Sequence, residues 1–176
     1  MNKTFALLRR QVTPGLWTAL RAWLRFRCMI SPRAEVEVSR NLVIGKGTQI
    51  SSFTKIKSID GPLRIGSRVV IGSSVAIASG RAGIEIGDDC FLSPNVVLTP
   101  GTHRYARLDA PIITQGMASK GIRIGSDVWI GANCTVLDGS EIGSGSIVGA
   151  NSVVNGKISP LSIAQGNPAK VIFTRR

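Results

Sequence analysis

Between Ile122 and Val154 an aliphatic residue returns at every sixth position: Ile124, Ile130, Val136, Ile142, Val148 and Val154. A period of six fits neither an amphipathic helix nor one long alternating strand. It predicts short strands separated by turns, each strand turning the same face to a common interior. Gly follows Ile124, Ile130, Ile142 and Val148, a position read as turn chemistry. Four residues after the beat stand the small or modest side chains Val128, Cys134, Ser146, Ser152 and Ile158, with Ser140 polar but still small. They predict a second inward position beside each corner.

The same beat starts weakly at Val38, Ile44, Ile50 and Ile56, resumes at Ile65, Ile71 and Ile77, and again at Ile86, Leu92 and Leu98. A phrase recurs at the restarts: Leu63-Arg64-Ile65-Gly66, Ile84-Glu85-Ile86-Gly87 and Ile122-Arg123-Ile124-Gly125. The repeating unit is therefore three hexads, an 18-residue coil, with coils starting at Ile44, Ile65, Ile86, Ile124 and Ile142. Three hexads per turn predict a triangular prism. The extra residues, three, three and twenty, all follow the third hexad of their coil and should emerge along one edge. The largest insertion, residues 99–123, is a long loop in a compact repeat, the usual place for function. A residue five after the beat should point outward. In successive coils that column is Val70, Phe91, Trp129 and Ile147, an apolar stripe that predicts cover from another subunit or a ligand.

Before the repeats, residues 1–33 are read as a basic amphipathic helical segment, with the repeat domain over 34–176. Phe5, Leu7, Leu8, Leu16, Trp17, Leu20, Trp23, Leu24 and Phe26 are broken by Pro14-Gly15, and no run approaches the ~20 apolar residues of a membrane span. Arg9-Arg10 and Arg21 interrupt any secretory-signal pattern, and no small-x-small cleavage site follows. After Pro14-Gly15, Trp17, Leu20 and Leu24 share a helical face with Arg21 and Arg25 on its flank. Two readings stand: residues 1–30 lie on an anionic membrane surface, or the helix packs on its own coils or a partner subunit.

Charge sharpens that choice. The net charge is +12, yet residues 1–33 hold seven of the 22 basic residues and no acid. The remainder is much closer to balance. The three cysteines are odd in number, and Cys90 and Cys134 fall on inward small-residue positions, so they read as buried free thiols of a reducing compartment. With one His and no C-x-x-C pair, no metal site is expected.

A triangular coil of hexads opening Ile/Leu/Val-Gly resembles the hexapeptide-repeat acyltransferases. The resemblance runs over about residues 36–172 and implies an all-β, left-handed parallel β-helix; the handedness comes from the family alone. The segments Leu92-Ser93-Pro94-Asn95-Val96, Thr99-Pro100-Gly101-Thr102-His103, Ile124-Gly125-Ser126-Asp127-Val128-Trp129-Ile130-Gly131 and Gly166-Asn167-Pro168-Ala169-Lys170-Val171-Ile172 are similar to those of the maltose, galactoside and polysaccharide O-acetyltransferase branch. That likeness implies acetyl-CoA as co-substrate and His103 as general base. An imidazole with an unperturbed pKa of ~6.5 can take the proton of an attacking hydroxyl without a covalent acyl-enzyme. Asp109 or a backbone carbonyl would orient the ring. Asn95 either donates to the acceptor or oxyanion or simply forms a turn after Pro94. Trp129 lines the acetyl-CoA groove or packs against a subunit. Ala132 and Ala150 follow the pantetheine path, and Lys170 reaches the nucleotide phosphates. Phe173 stands where galactoside-type members carry a second basic residue, a gap that Arg175 and Arg176 could fill. The family's active sites lie between subunits of a homotrimer.

The leading expectation is an O-acetyltransferase acting on a sugar hydroxyl in bacterial surface polysaccharide (lipopolysaccharide, capsule or exopolysaccharide), cytoplasmic and peripheral to the inner membrane. Its rival is N-acetyl transfer to a nucleotide-linked amino sugar. A non-enzymatic β-helix serving assembly or nucleic-acid binding has only the basic N-terminus in its favour, without an interleaved aromatic platform, so no nucleic-acid partner is expected. The carbonic-anhydrase-like branch fails because one His cannot build its metal site.

Overall fold

The computed structural model describes residues 15–58, 60–99 and 101–176. Residues 1–14, Ile59 and Pro100 lie outside the described residues, as do the side chains of residues 15–18, 21 and 22. The expectations for the N-terminal apolar positions up to Leu8, and for the side chains of Leu16, Trp17 and Arg21, fall there.

Strands of mostly two or three residues form three parallel walls, and the chain visits them in strict rotation. The first wall runs from Met29–Ile30 through Gln49–Ile50, Val70–Ile71, Phe91–Leu92, Trp129–Ile130 and Ile147–Val148 to Ser162–Gly166. Ala169–Thr174 folds back antiparallel on that last strand. The second wall runs from Glu35–Val36 to Val153–Val154 and the third from Leu42–Ile44 to Lys157–Ile158. The six-residue beat is an inward ladder. Ile50, Ile71, Leu92, Ile130 and Val148 stack in register on the first wall. Ile56, Ile77, Leu98, Val136 and Val154 do so on the second. Ile44, Ile65, Ile86, Ile124, Ile142 and Ile158 do so on the third. All are buried, with Val128, Cys134, Ser140, Ser146 and Ser152 beside them as the spacing required.

Two expectations change at the first coil. Val38 is 39% exposed, and the inward residue is Val36. The chain restarts at Leu42–Ile44, so Val38 belongs to the crossing between second and third walls. Met29–Ile30 already pairs with Gln49–Ile50, so the coils reach back into the segment assigned to 1–33. Ahead of it the helix α1, Gly15–Phe26, sets Phe26 against the end of the core. Ala169 packs against the core from the C-terminal hairpin.

The glycines after the beat have a different cause from the one the sequence suggested. None of Gly45, Gly66, Gly87, Gly125 and Gly143 has a positive φ. A Cβ built on Gly66 would lie 2.6 Å from the carbonyl carbon of Gly87, and one on Gly125 would lie 2.6 Å from the Ser144 nitrogen. Glycine is needed because stacked coils touch backbone to backbone. The left-handed turns fall two residues later and use mostly other residues: Arg68, Asp89 and Asp127 at one corner, Phe53, Ser74, Asn95, Asn133 and Asn151 at the next. The third corner, where every insertion emerges, carries its left-handed residues as the stacked glycines Gly83, Gly121 and Gly139.

The outer faces differ. The third wall presents Arg64, Glu85, Arg123, Glu141 and Lys157 in register, alternating in sign. Lys157 Nζ lies 2.9 Å from Glu141 and holds its carboxyl below the usual range. The first wall instead shows Val70, Phe91, Trp129 and Ile147, the predicted apolar column.

Gly125→Ala should overpack the coil contact and cost about 1–3 kcal/mol, read as a lowered midpoint in urea. Gly156→Ala, where a Cβ meets nothing within 4 Å, should leave the midpoint unchanged within ~0.5 kcal/mol. Burial pushes the Cys90 thiol up to about 11 and raises Cys28 and Cys134 as well. All three are buried thiols outside any disulfide, so alkylation at mild pH should label them only after unfolding. Because the folded value of Cys90 exceeds its unfolded one, its contribution is intact below the ordinary thiol pKa of ~8.5 and should be lost as pH rises through about 11.

Candidate active site

The large insertion is an arm with structure of its own. After the second-wall strand Val97–Thr99 the chain forms a short antiparallel pair, Thr102–His103 with Met117–Ala118. Arg104 N–H donates to the Gly116 carbonyl at 2.9 Å, extending the pair. The tip is stapled by one amide: Gln115 Nε2 donates to the Arg107 and Ala110 carbonyls at 2.8 and 2.9 Å, while its oxygen accepts from Arg107 N–H at 3.0 Å. A turn of 3-10 helix, Ile112–Thr114, completes it with no buried residue. Tyr105, Leu108, Ile112, Ile113 and Met117 are exposed, Leu108 completely.

His103 is at the root of this arm, partly buried. Its Nδ1 is buried and meets no hydrogen-bond partner in the chain. The expected link to Asp109 is absent: the Arg107 guanidinium takes both carboxylate oxygens, at 3.1 and 2.8 Å. Arg107 is two residues away and already aligned, so it holds the Asp109 carboxyl below the usual carboxylate range and removes it from the imidazole. Asn95 sits at the corner before Val97–Thr99, whereas His103 follows that strand. The two therefore occupy different edges of the prism in one chain. Asn95 takes the left-handed turn conformation with φ 61°, and its Nδ2 donates to Asn133 Oδ1 at 3.0 Å.

The remaining expected residues cluster along the first wall. Trp129 is 48% exposed and stacks on Phe91, with ring centroids 6.5 Å apart. Its Nε1–H donates to Ser93 Oγ at 3.0 Å. Ala132 and Ala150 occupy equivalent corners of successive coils, and Asn151 N–H donates to the Ala132 carbonyl at 2.9 Å. Lys170 is exposed in the C-terminal hairpin opposite Gln165. Arg175 is committed elsewhere: it donates to the Gly145 carbonyl and meets Asp127 at 3.4 Å, pinning the last strand to a corner. That takes it out of the role of a free second cation. A groove of about 300 Å³ runs between Phe91, Trp129, Ile147 and Arg175, with Asp89 and Asp127 on its rim. Among the described residues no group of three or more His, Cys, Asp or Glu side chains could hold a metal ion. No helix among them is long and apolar enough to cross a membrane.

Two family models match the chain: a bacterial transferase hexapeptide of six repeats at residues 121–156 and the hexapeptide repeat of succinyl-transferase at residues 62–100. WbbJ of Escherichia coli, provisionally named a lipopolysaccharide biosynthesis O-acetyl transferase, is 31% identical over 85% of this chain and 76% of its own length. The chain belongs to the hexapeptide-repeat acetyltransferase family. Its fold is that family's left-handed parallel β-helix. Among solved structures, the polysialic-acid-specific acetyltransferase NeuO is 28% identical with a TM-score of 0.62, covering 84% of this chain and 65% of that one. AntD, an N-acyltransferase from Bacillus cereus solved with dTDP and coenzyme A, superposes with a TM-score of 0.77 over 89% of this chain and 88% of its own at 23% identity, a likeness of fold alone. Other curated acetyltransferase relatives, from Mycobacterium tuberculosis and Schizosaccharomyces pombe, match 53% and 51% of this hexapeptide-repeat chain and 31% and 42% of their own lengths. The chain thus spans less than half of those relatives.

Three residues escaped the sequence reading. Ser93, which anchors Trp129, stands where Gly72, Gly131 and Gly149 stand in other coils, and that departure was its signal. Phe91, expected only as part of the stripe, proves to be Trp129's stacking partner. Arg107 had no signal beyond its nearness to Asp109.

Replacing Asp109 by Asn should release Arg107 and speed amide hydrogen exchange at residues 104–116. In the wild-type chain the ion pair should persist above the ordinary Asp pKa of ~3.9 and weaken as pH falls through the lowered value, giving the same exchange increase only in acid.

Proposed function

We propose that this protein is an acetyl-CoA-dependent O-acetyltransferase acting on a sugar hydroxyl of a bacterial surface polysaccharide or its lipid-linked precursor. The observation that carries this reading is His103, the one imidazole of the chain, held at the root of an ordered arm with its Nδ1 buried and without a partner. A buried polar atom left unpaired costs about 1–3 kcal/mol, so a structure that keeps one has a use or an outside partner for it. The 31% identity to WbbJ over most of both chains favours oxygen over nitrogen as acceptor.

The chemistry follows from the residues. His103 Nε2 accepts the proton of the acceptor hydroxyl while its oxygen attacks the thioester carbonyl; the carbon–sulfur bond then breaks, and the proton passes to the departing thiolate. General base catalysis of this kind contributes roughly 10²–10⁴-fold. With Asp109 engaged by Arg107 and Nδ1 without a partner in its own chain, ring orientation falls to a group from a second copy. The stacked Phe91–Trp129 wall offers apolar cover to a long thioester arm, and exposed Lys170 a cation for its phosphates. Asn95 and His103, at different edges of one prism, would converge only across neighbouring subunits, which supports a homotrimer with shared sites. We place the protein in the cytoplasm, where acetyl-CoA is available.

His103→Ala should lower kcat by roughly 10²–10⁴-fold with acetyl-CoA and the acceptor saturating, while the Kd for CoA stays within about threefold. Turnover near wild type in that variant would exclude the mechanism. An acceptor screen pairing neutral glycans with nucleotide-linked amino sugars separates the chemistries: acetylated amine and untouched hydroxyl would move the assignment to N-acetyl transfer.

A further inference from the structure

Among its described side chains, the helix Gly15–Phe26 meets the rest of the protein on one side. Phe26 and Ala19 are partly buried, with Phe26 against the end of the core. Leu20, Trp23 and Leu24 are 47%, 58% and 66% exposed. At 3.6 residues per turn these three fall on one face, with Trp23 at the border next to Phe26. Met29 continues the patch at 60% exposure on the first strand. Arg25 borders it, with its guanidinium 4.9 Å above the Phe26 ring, and Arg27 and Arg33 are exposed close by in sequence. Seven basic residues and no acid fall within residues 1–33, whereas the rest of the chain carries all ten acids. The electrostatic asymmetry thus coincides with the uncovered apolar face.

We propose that this helix docks the enzyme, first coil downward, on the surface of an anionic phospholipid bilayer. Leu20, Trp23 and Leu24 enter the headgroup–acyl boundary, and the arginines pair with lipid phosphates. Charge decides for a membrane over a second copy. A symmetric contact would bring two acid-free, basic segments together, whereas an anionic surface attracts each basic residue by an amount that falls off within a Debye length. The geometry also suits the site. From Met29–Ile30 to Phe91–Leu92, the coil that launches the arm, there are three strand-to-strand steps, or ~14 Å at ~4.8 Å each. A sugar carried on a lipid in that bilayer would meet His103 close to the membrane surface. This last consequence rests on the acetyl-transfer reading; the docking does not.

Flotation of the full chain with phosphatidylcholine vesicles and with vesicles containing phosphatidylglycerol tests the docking. Co-flotation is expected with the anionic vesicles only, declining as salt is raised, with a blue shift of tryptophan emission. Trp23→Ser combined with Leu24→Ser should weaken binding by at least about tenfold. Because both positions are exposed, the thermal midpoint should hold, and a folded variant that floats like wild type would overturn the proposal. So would equal binding to neutral vesicles. A chain that stays off both vesicles would overturn it too, whether its helix face is covered by another copy, seen as a mass change in the double variant by sedimentation, or by labelled RNA. His103→Ala should float like wild type, so loss of docking and loss of acetyl transfer are read independently.

Discussion

Backbone contact between successive coils is the constraint on which the rest of this molecule depends. At Gly45, Gly66, Gly87, Gly125 and Gly143 the next coil lies too close for any Cβ. That closeness lets short parallel strands share every hydrogen bond with the coils above and below. On the third wall most strands turn two aliphatics inward, Leu42 with Ile44, Leu63 with Ile65, Ile84 with Ile86 and Ile122 with Ile124, whereas strands of the other walls turn in one beside a smaller side chain. The interior fills with Ile, Leu and Val in register, and with Cys90, Cys134, Ser146 and Ser152 where a corner narrows the space. The buried hydroxyls are not wasted: Thr54 Oγ1 donates to the Gly72 carbonyl at 2.7 Å and Ser140 Oγ to that of Val154 at 3.0 Å. Each small polar side chain thus tethers one coil to the next, as a buried hydroxyl requires.

A prism built this way has little freedom inside and much outside. All of the extra chain leaves at one corner, between the second and third walls, and the arm is the largest of these insertions. It leaves the third corner from a rigid strand, and a two-strand pair and the Gln115 staple carry its order outward to the tip. His103 thus sits where a rigid scaffold meets a shaped extension, while the exposed apolar tip beyond it is unlike anything on the charged third wall.

The outer faces divide the labour in the same way. Alternating charges on the third wall suit water, although exposed pairs of this sort contribute only ~0–1 kcal/mol each. The stacked aromatics of the first wall do not suit water. Their groove lies between the first wall and the corner carrying Asp89 and Asp127, while Ala132 and Ala150 stand at the corner on the wall's other side. Arg175 closes the groove's upper end by binding the Gly145 carbonyl and Asp127.

The sequence by itself determined the coil. A six-residue period and the spacing of its restarts specify wall number, register, insertion edge and the outward column of Val70, Phe91, Trp129 and Ile147. Each of these depends only on which side a residue faces, and side-facing is what periodicity encodes. Tertiary structure decided whatever depends on contact between residues distant in the chain or outside the period. The glycines proved to answer to the coil stacked against them and not to their own φ. Val38 fell out of step because the first crossing between second and third walls is irregular. Asp109 went to Arg107 because the arm's fold, which no repeat dictates, put a guanidinium nearer than the imidazole. Asn95 and His103, eight residues apart in sequence, were separated onto different edges by the strand Val97–Thr99 that runs between them.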